Sequence, residues 1–353
     1  MKIMVIFTGG TIGSAVNDGF ISPDNSQGYK LITEYEKIST RSNARQPVDL
    51  YTCMPYSLLS ENLNGDYLNK LIDCVKTNLD SEEQYDGIVI THGTDTLQYT
   101  AAAIDYIFAD TNIPIVLVSS NYILDDERAN GLDNFYFAIE FIKKNMPGVY
   151  VSYRNVPEQL YIHYGSRLLP HMTCQDEIYS IGNSYLGCFK YASETGNFPN
   201  VFYSNTTNSE VKVSKNATEL YPKSSLPEDI CFSKNCPILY LKAMPGLIYP
   251  AIPDGTTAIL IDSYHSGTIC TESSELKSFT KQASSKNIPV FLVGAEDRTA
   301  YESTKIYSDL NINVLPKSSP IAIYVKLWLL SQLKLNMSEL IEMTNAPISR
   351  EFI

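Results

Sequence analysis

The stretch that decides the fold reads IMVIFTGGTIG over residues 3–13, and a second one reads IVITHGTDT over residues 88–96. In each, a short apolar run typical of a buried strand leads directly into glycines and hydroxyl side chains. Ligands of open α/β sheets bind in the crevice beyond the carboxyl ends of such strands. The two clusters therefore predict one composite active site at the end of a parallel sheet.

The pattern over residues 1–190 alternates apolar strands with amphipathic helices. The predicted strands are Lys2 to Phe7, Val48 to Cys53, Gly87 to Thr91, Pro114 to Ser119 and Gly148 to Tyr153. Apolar residues recur at helical spacing over 63–75 and 97–107, which predicts crossover helices. The predicted fold class is α/β, with a doubly wound parallel sheet in an amino-terminal catalytic domain, residues 1–190.

A second, smaller α/β domain is predicted for residues 236–353. Residues 191–235 are rich in Ser, Asn, Thr and Pro and predict a linker, with a short β-like run at Glu210 to Val213. After the linker the predicted strands are Ile238 to Leu241, Thr257 to Ile261 and Pro289 to Val293, and the predicted helices are Ser274 to Ser285 and Ala322 to Leu333.

The composition, 44% hydrophobic and 19% charged, is that of a globular protein. The length of 353 residues is sufficient for two domains. The net charge of −12 and the isoelectric point near 4.9 argue against nucleic-acid binding. No apolar run approaches a membrane span, and the apolar start is too short for a signal peptide, so we expect a cytoplasmic protein with no membrane partner. The 7 cysteines have no CxxC spacing, which predicts reduced, buried thiols and no metal site.

Thr11 has the surroundings of a nucleophilic threonine. The neighbouring glycines allow close backbone approach and positive φ, and the turn leaves N–H groups free to stabilise an oxyanion. Thr94 could supply a second hydroxyl, and Asp95 a carboxylate that orients a substrate ammonium or polarises a proton relay.

Other interpretations of both clusters stay open. A glycine-rich turn is also typical of a tight turn or a phosphate cradle, although the P-loop ending and the GxGxxG spacing are both missing here. Asp95 precedes a periodic helix and is therefore also typical of a helix N-cap.

The two clusters resemble the two threonine signatures of bacterial-type L-asparaginases. The segments YDGIVI at 85–90, PIVLV at 114–118 and LWLLS at 327–331 occur in the order of that family, so the resemblance covers most of the chain. It implies hydrolysis of the asparagine side-chain amide to aspartate and ammonia through an acyl-enzyme, with no metal or cofactor.

The resemblance assigns roles to individual residues. Thr11 would be the nucleophile, Thr94 the second catalytic threonine, and Asp95 the group that binds the substrate amine. Ser60 and Glu61 match the segment that holds the substrate's α-carboxylate and amine. Taken alone, they are equally typical of an N-cap and a first-turn acid before a helix at Leu63. The predicted substrate-binding residues are Gly10, Ser60, Glu61, Gly93 and Asp95.

Two positions depart from the family pattern. The family places a lysine of a Thr-Lys-Asp relay four residues after the arginine of a Gly-x-Arg segment, and here that position is His171. We predict that His171 takes the catalytic part of the lysine, with a structural histidine as the alternative. The family's mobile-loop tyrosine corresponds to Phe20, which has no hydroxyl. Tyr29 could reach in from the same loop, residues 17–28, which is typical of a lid.

The carboxyl-terminal part departs as well. Residues 263–268 read SYHSGT where the family has a Tyr-Gly-x-Gly-Asn-like turn, which in some members contributes to a neighbouring subunit's site. Thr268 replaces the asparagine, and His265 is either a polar group at such a shared site or a surface histidine. The resemblance implies a homodimer or a homotetramer.

The predicted function is an asparaginase-like hydrolase that acts on a small-molecule amide. One alternative is a protein that binds asparagine or aspartate without turning it over. Another is the asparaginase-like subunit of a tRNA-dependent amidotransferase. That subunit typically has an extra amino-terminal domain, whereas this sequence begins directly at the first predicted strand.

Overall fold

The computed structural model describes residues 1–24, 26–41, 47–155, 159–190, 202–205, 226–295 and 301–353. The strands are β1 (Lys2–Phe7), β2 (Ser14–Asn17), β3 (Phe20–Pro23), β4 (Asp49–Cys53), β5 (Gly87–Thr91), β6 (Pro114–Val118), β7 (Gly148–Asn155), β8 (Gln159–Tyr164), β9 (Gly187–Lys190), β10 (Phe202–Ser204), β11 (Ile238–Lys242), β12 (Ala258–Asp262), β13 (Val290–Val293) and β14 (Ile312–Val314). The helices are α1 (Ser26–Arg41), α2 (Gly65–Leu79), α3 (Leu97–Ile107), α4 (Gly131–Ile142), α5 (Ser274–Ser285), α6 (Pro320–Leu330) and α7 (Met337–Asn345).

The larger sheet has eight strands in the order β10-β9-β8-β7-β6-β5-β1-β4. Its five strands from β4 to β7 are parallel, which confirms the predicted doubly wound α/β fold. Alternate residues of a strand face opposite sides. Accordingly Ile3 and Val5 pack with α1 and α4, whereas Met4 and Ile6 pack with α2, α3 and α6. Helices on both faces explain why β1, β5 and β6 are almost continuously apolar.

The chain reverses its direction of winding at β1. After β1 the chain forms β4, which pairs with one edge of β1, and then β5, which pairs with the opposite edge of β1. Phe7 pairs with Thr91 in this register, so the segments that follow β1 and β5 leave the sheet side by side. This is the topological switch point at which ligands of open α/β sheets bind.

Three strands extend the sheet beyond the predicted parallel part. β8, β9 and β10 pair antiparallel, each with the strand before it. β10 falls in the stretch that we predicted as a linker, because Phe202 is buried against Phe141 and Phe189 and so holds this short strand to the sheet. Most of the predicted linker, including Glu210 to Val213, lies outside the described residues.

The second sheet is parallel in the order β11-β12-β13-β14. The three predicted strands agree with the structure within one residue, and β14 is additional. Helix α6 begins two residues before the predicted Ala322, because Pro320 occupies its first turn, where a missing N–H costs nothing. It ends at Leu330, three residues before the predicted Leu333. Tyr106 of α3 donates its hydroxyl to the Ala322 carbonyl at 3.0 Å, and one apolar core runs through both sheets. The domain boundaries at 190 and 236 stay predictions.

The cysteines are less buried than predicted. Cys188 is buried, but Cys174, Cys231 and Cys270 are exposed, and the other three are half-buried. None of the seven, all of which lie in the described ranges, is in a disulfide bond. Across the described ranges, no helix is long and apolar enough to cross a membrane.

A buried ion pair fixes the carboxyl-terminal end of the chain. Lys326 of α6 donates to Glu351 at 2.8 Å, and both side chains are 0% exposed. Lys326 also donates to the Thr344 carbonyl at 2.9 Å. Glu351 accepts two backbone N–H bonds, from Ile348 and Ser349, each at 2.9 Å. Because each charge has several partners, its burial is compensated.

Replacement of one partner should therefore be costly. We expect Lys326→Met to lower the free energy of unfolding by about 3–5 kcal/mol, because Glu351 would remain buried without its counter-charge. Lys334→Met, at an exposed lysine, should change it by less than about 0.5 kcal/mol. Chemical denaturation of both variants measures the difference. Equal, small effects would mean that the pair contributes nothing beyond its packing.

Candidate active site

Three chain segments meet at the ends of β1 and β5. Gly10 donates its N–H to the Leu58 carbonyl at 2.9 Å, and Leu58 donates its own to the Thr8 carbonyl at 3.0 Å. A Cβ atom on Gly10 would lie 2.7 Å from the His92 carbonyl carbon. A Cβ atom on Gly93 would lie 2.6 Å from that of Ser60. The Gly10 and Gly93 segments are thus in backbone contact, the Ser60 side chain packs on Gly93, and neither glycine leaves room for a side chain.

Thr11 opens a short helical turn, Thr11–Gly13, directly after Gly10. Gly10 has φ 73°, a conformation that L-residues rarely adopt and that turns the chain sharply out of the strand. Ser14 donates its hydroxyl to the Gly10 carbonyl at 2.7 Å, which holds the turn closed. Within the described part of the chain, no hydrogen bond engages the half-buried Thr11 hydroxyl. It is therefore available to a ligand.

Thr94 and Asp95 follow β5 and precede α3. Asp95 is exposed, and the N-cap of α3 is Thr96, so the helix-cap interpretation of Asp95 is wrong. The Thr96 hydroxyl instead donates to the Ser60 carbonyl at 3.0 Å and ties the second cluster to the Ser60 segment. The Asp95 carboxylate is thus left available at the end of β5.

Ser60 and Glu61 lie in a short helical turn, Ser60–Asn62. The following helix α2 begins at Gly65, and its N-cap is Asn64, whose side chain accepts from the Asp66 N–H at 3.0 Å. Ser60 therefore does not cap that helix, and the capping interpretation is wrong. Ser60 is buried against Gly93, whereas Glu61 is exposed.

His92 supports the second cluster from inside the fold. Its Nδ1 lies 2.9 Å from the Gly93 carbonyl and its Nε2 2.9 Å from the Thr100 hydroxyl. Since a carbonyl can only accept, we assign the proton to Nδ1, and Nε2 accepts from Thr100. Burial lowers the pKa of His92 to about 4. This supporting role was not predicted from the sequence, because it depends on tertiary contacts and not on the motif.

His171 lies in a loop beyond the turn Gly165–Arg167. Its Nε2 donates to the Gln175 carbonyl at 2.8 Å within the same loop. The Ser166 N–H donates to Asp105 near the carboxyl-terminal end of α3, which is ten residues, or roughly 15 Å of helix, from Asp95. The structure does not bring His171 into hydrogen-bond contact with Thr11 or Thr94.

The predicted lid has a different local structure. The loop expected over 17–28 is a hairpin, β2 paired with β3, followed by the start of α1. Asp18 and Gly19 form the two-residue turn, with φ of 51° and 83°. Asp-Gly is a strong signal for such a turn, so the hairpin was readable from the sequence. Phe20 on β3 is 77% exposed, and Tyr29 on α1 is 74% exposed, not in a loop.

The turn at 263–268 follows β12 in the second sheet. The Thr268 carbonyl accepts the Tyr264 N–H at 2.9 Å, and the Thr268 hydroxyl lies 3.1 Å from that of Ser266. His265 is exposed at the tip of this turn. Whether His265 and Thr268 contribute to a neighbouring subunit's site stays a prediction.

A cleft of about 620 Å³ adjoins the site on the side of the second sheet. Its lining includes the carboxylates of Glu61 and Asp95, the Lys234 side chain, and the rings of Tyr99, Tyr240 and Tyr324. The described residues contain no group of three or more His, Cys, Asp or Glu side chains that could hold a metal ion.

The close approach at Gly10 generates a prediction. Gly10→Ala should destabilise the protein and abolish ligand binding, because the new methyl group meets the backbone of 92–93. Gly19→Ala is the matched control: its φ of +83 is also positive, but nothing lies within 4 Å. It should cost only the backbone strain, about 1–2 kcal/mol. Thermal unfolding measures the stability of the two variants, and calorimetric titration with L-aspartate measures their affinity. Equal losses of stability and affinity in Gly10→Ala and Gly19→Ala would refute the steric argument.

The buried His92 makes stability depend on pH. In the unfolded chain its pKa returns to about 6.5, so between pH 6.5 and 4 the unfolded state binds more protons. The free energy of unfolding should therefore fall as the pH is lowered through this window. His92→Gln should make that fall shallower, by up to about 1.4 kcal/mol per pH unit. Denaturant titrations at several pH values test this, and parallel profiles would contradict it.

Comparison with known proteins agrees with this geometry. Residues 2–173 match the family model described as "Asparaginase, N-terminal". The L-asparaginase of Thermococcus kodakarensis is 25% identical over 310 residues, 86% of this chain and 84% of that protein. A glutamyl-tRNA(Gln) amidotransferase subunit of Haloquadratum walsbyi is 26% identical over 258 residues, 72% of this chain but only 54% of that protein.

The fold is also that of solved asparaginases. The thermostable L-asparaginase from Thermococcus kodakarensis superposes with a TM-score of 0.73 at 22% sequence identity, over 100% of this chain and 99% of that one. L-asparaginase I from Vibrio cholerae gives the same TM-score at 18% identity. Both threonine clusters lie within the matched residues 2–173, and the family match, the L-asparaginase relative and the shared fold together support the asparaginase/glutaminase superfamily for this chain.

Proposed function

We propose that this protein hydrolyses L-asparagine to L-aspartate and ammonia, with Thr11 as the nucleophile. The observation that carries the proposal is the close approach of the Gly10 and Gly93 backbones, against which the Ser60 side chain packs. In this proposal Thr11, Thr94 and Asp95 share one site with Ser60 and Glu61 at the carboxyl ends of β1 and β5. The similarity to an L-asparaginase over 86% of the chain supports the same substrate.

The proposed reaction has two steps. The Thr11 hydroxyl oxygen attacks the side-chain amide carbon, and backbone N–H groups of the glycine-rich turn stabilise the oxyanion. The C–N bond then breaks, the nitrogen takes up the Thr11 proton and leaves as ammonia, and an aspartyl ester remains on Thr11. Water hydrolyses that ester to aspartate. No metal or cofactor takes part in this scheme.

In this scheme, acidic side chains orient the substrate through its α-ammonium group. Glu61 and Asp95 are exposed carboxylates on the wall of the same cleft, which suits the substrate's α-ammonium group. Gly10 and Gly93, with Ser60 packed against Gly93, lie at the strand ends next to this cleft and are proposed as the other substrate-binding residues. The substrate amide is then directed toward Thr11 and Thr94.

The scheme also needs a base that takes the proton of the Thr11 hydroxyl. His92 is not a suitable base, because it is buried and both of its ring nitrogens are engaged by Gly93 and Thr100. His171 remains our proposal for the base on the strength of its position after Arg167. To act there, its ring must leave the Gln175 carbonyl. Phe20 and Tyr29 remain proposed lid residues, at the hairpin and at the start of α1.

Replacement of the nucleophile tests the proposal. Thr11→Val should lower the rate of ammonia release from L-asparagine by at least about 10³-fold while aspartate binding persists. Thr77→Val, at an exposed threonine of α2, should leave the rate unchanged. An enzyme-coupled ammonia assay measures both variants. Activity retained in Thr11→Val would place the nucleophile elsewhere, and binding without release in the wild type would favour a ligand-binding protein.

A second candidate is the ammonia-producing subunit of an amidotransferase. The relatives named as glutamyl-tRNA(Gln) amidotransferase subunits favour it, including one from Sulfurisphaera tokodaii that is 34% identical over 148 residues, 41% of this chain and 31% of that protein. The ratio of kcat/KM for L-asparagine to that for L-glutamine separates the two candidates. Preference for glutamine, with co-purification of a partner protein, would favour the second.

We also propose a cytoplasmic homodimer or homotetramer. The turn at 263–268 then offers His265 and Thr268 to a neighbouring copy.

A further inference from the structure

Two cysteine thiols, one at the end of β4 and one in α2, are in direct contact. Cys53 is the last residue of β4 and Cys74 lies in α2. Their Sγ atoms are 3.4 Å apart, and both residues are half-buried, so small oxidants can reach them. Asn78 approaches both sulfurs with its Nδ2, at 3.8 Å from Cys53 and 3.7 Å from Cys74.

We propose that Cys53 and Cys74 form a reversible redox site, in which a peroxide converts the two thiols into a disulfide bond. A disulfide requires an S–S distance of about 2.05 Å, so the sulfurs must approach by about 1.4 Å from their 3.4 Å separation. The two thiols are the electron donors and the peroxide is the oxidant.

The surroundings make the two sulfurs unequal. Hydrogen bonds from Cys74 and Asn78 lower the pKa of the Cys53 thiol, although burial opposes them. The hydrogen bond to Cys53 and burial both raise the pKa of Cys74. Cys53 is therefore the attacking thiolate and Cys74 the resolving thiol, which is the arrangement found in redox-sensitive cysteines.

The reaction balances in two steps. The Cys53 thiolate attacks one oxygen of hydrogen peroxide, the O–O bond breaks, and after protonation the products are Cys53 sulfenic acid and water. The Cys74 sulfur then attacks the Cys53 sulfur, the S–O bond breaks, and a second water leaves with the Cys74 proton. The two thiols lose two electrons and two protons, and hydrogen peroxide is reduced to two waters.

The disulfide would act on the pocket segment, residues 54–64. That segment begins after Cys53 and ends at Asn64, the N-cap of the helix that carries Cys74. It contains Leu58, which pairs with Gly9, and Ser60, which packs on Gly93. A covalent link between β4 and α2 therefore closes the base of the segment and restricts its motion.

Peptide mapping tests the proposal on the full chain, independently of any enzymatic activity. Reduced protein is treated with hydrogen peroxide, its remaining thiols are alkylated, and the peptides are identified by mass. We expect one linked peptide that contains Cys53 and Cys74, lost again after dithiothreitol. Amide hydrogen exchange across residues 54–64 should slow severalfold in the oxidised protein.

Two variants sharpen the test. Cys74→Ser should stop the reaction at the Cys53 sulfenic acid, which dimedone traps, whereas Cys174→Ser, at an exposed cysteine of another loop, should form the linked peptide as the wild type does. If Cys74→Ser does not fold, the wild-type map still decides. Oxidation of Cys174, Cys231 and Cys270 while Cys53 and Cys74 remain alkylatable would overturn the proposal. Unchanged exchange over 54–64 in the linked protein would overturn the effect on the pocket segment.

Discussion

The structure depends on one close approach of backbone to backbone, between the turns that follow β1 and β5. The pairing of Phe7 with Thr91 brings these turns side by side, and Gly10 and Gly93 let them touch. The Ser60 side chain, from a third segment, packs against Gly93. Thr11 belongs to one turn, and Thr94 and Asp95 belong to the other. The close approach therefore brings the two threonine clusters to the same end of the sheet.

Much of this arrangement was predictable from the sequence. The apolar run before Thr8 and the one before Thr91 are typical of buried strands, and glycine after such a strand indicates a tight turn. The switch-point rule then predicted that the two clusters meet. Pairwise contacts at Ser60 were not predictable in the same way, since a serine before a helical pattern is equally typical of an N-cap. The structure resolves that choice because Asn64 caps the helix instead.

The features that sequence reasoning missed depend on distant partners or on signals left unused. The short strand β10 is held by Phe202 against two phenylalanines that are far away in sequence, so its Ser- and Asn-rich surroundings suggested a linker. His92 is neutral because the fold buries it, and composition does not report burial. The dipeptide Asp18-Gly19 is typical of a two-residue hairpin turn and could have predicted the pairing of β2 with β3. His171 is held within its own loop by the Gln175 carbonyl, a contact that a motif offset does not encode.

A crystal structure of the protein with L-aspartate bound would show whether the two threonine clusters form one site. We expect the α-ammonium group to lie between the carboxylates of Glu61 and Asp95, with the side-chain carboxylate within hydrogen-bond reach of both Thr11 and Thr94. Aspartate bound away from Gly10 and Gly93, or in contact with only one of the two threonine clusters, would contradict the claim that they form one site.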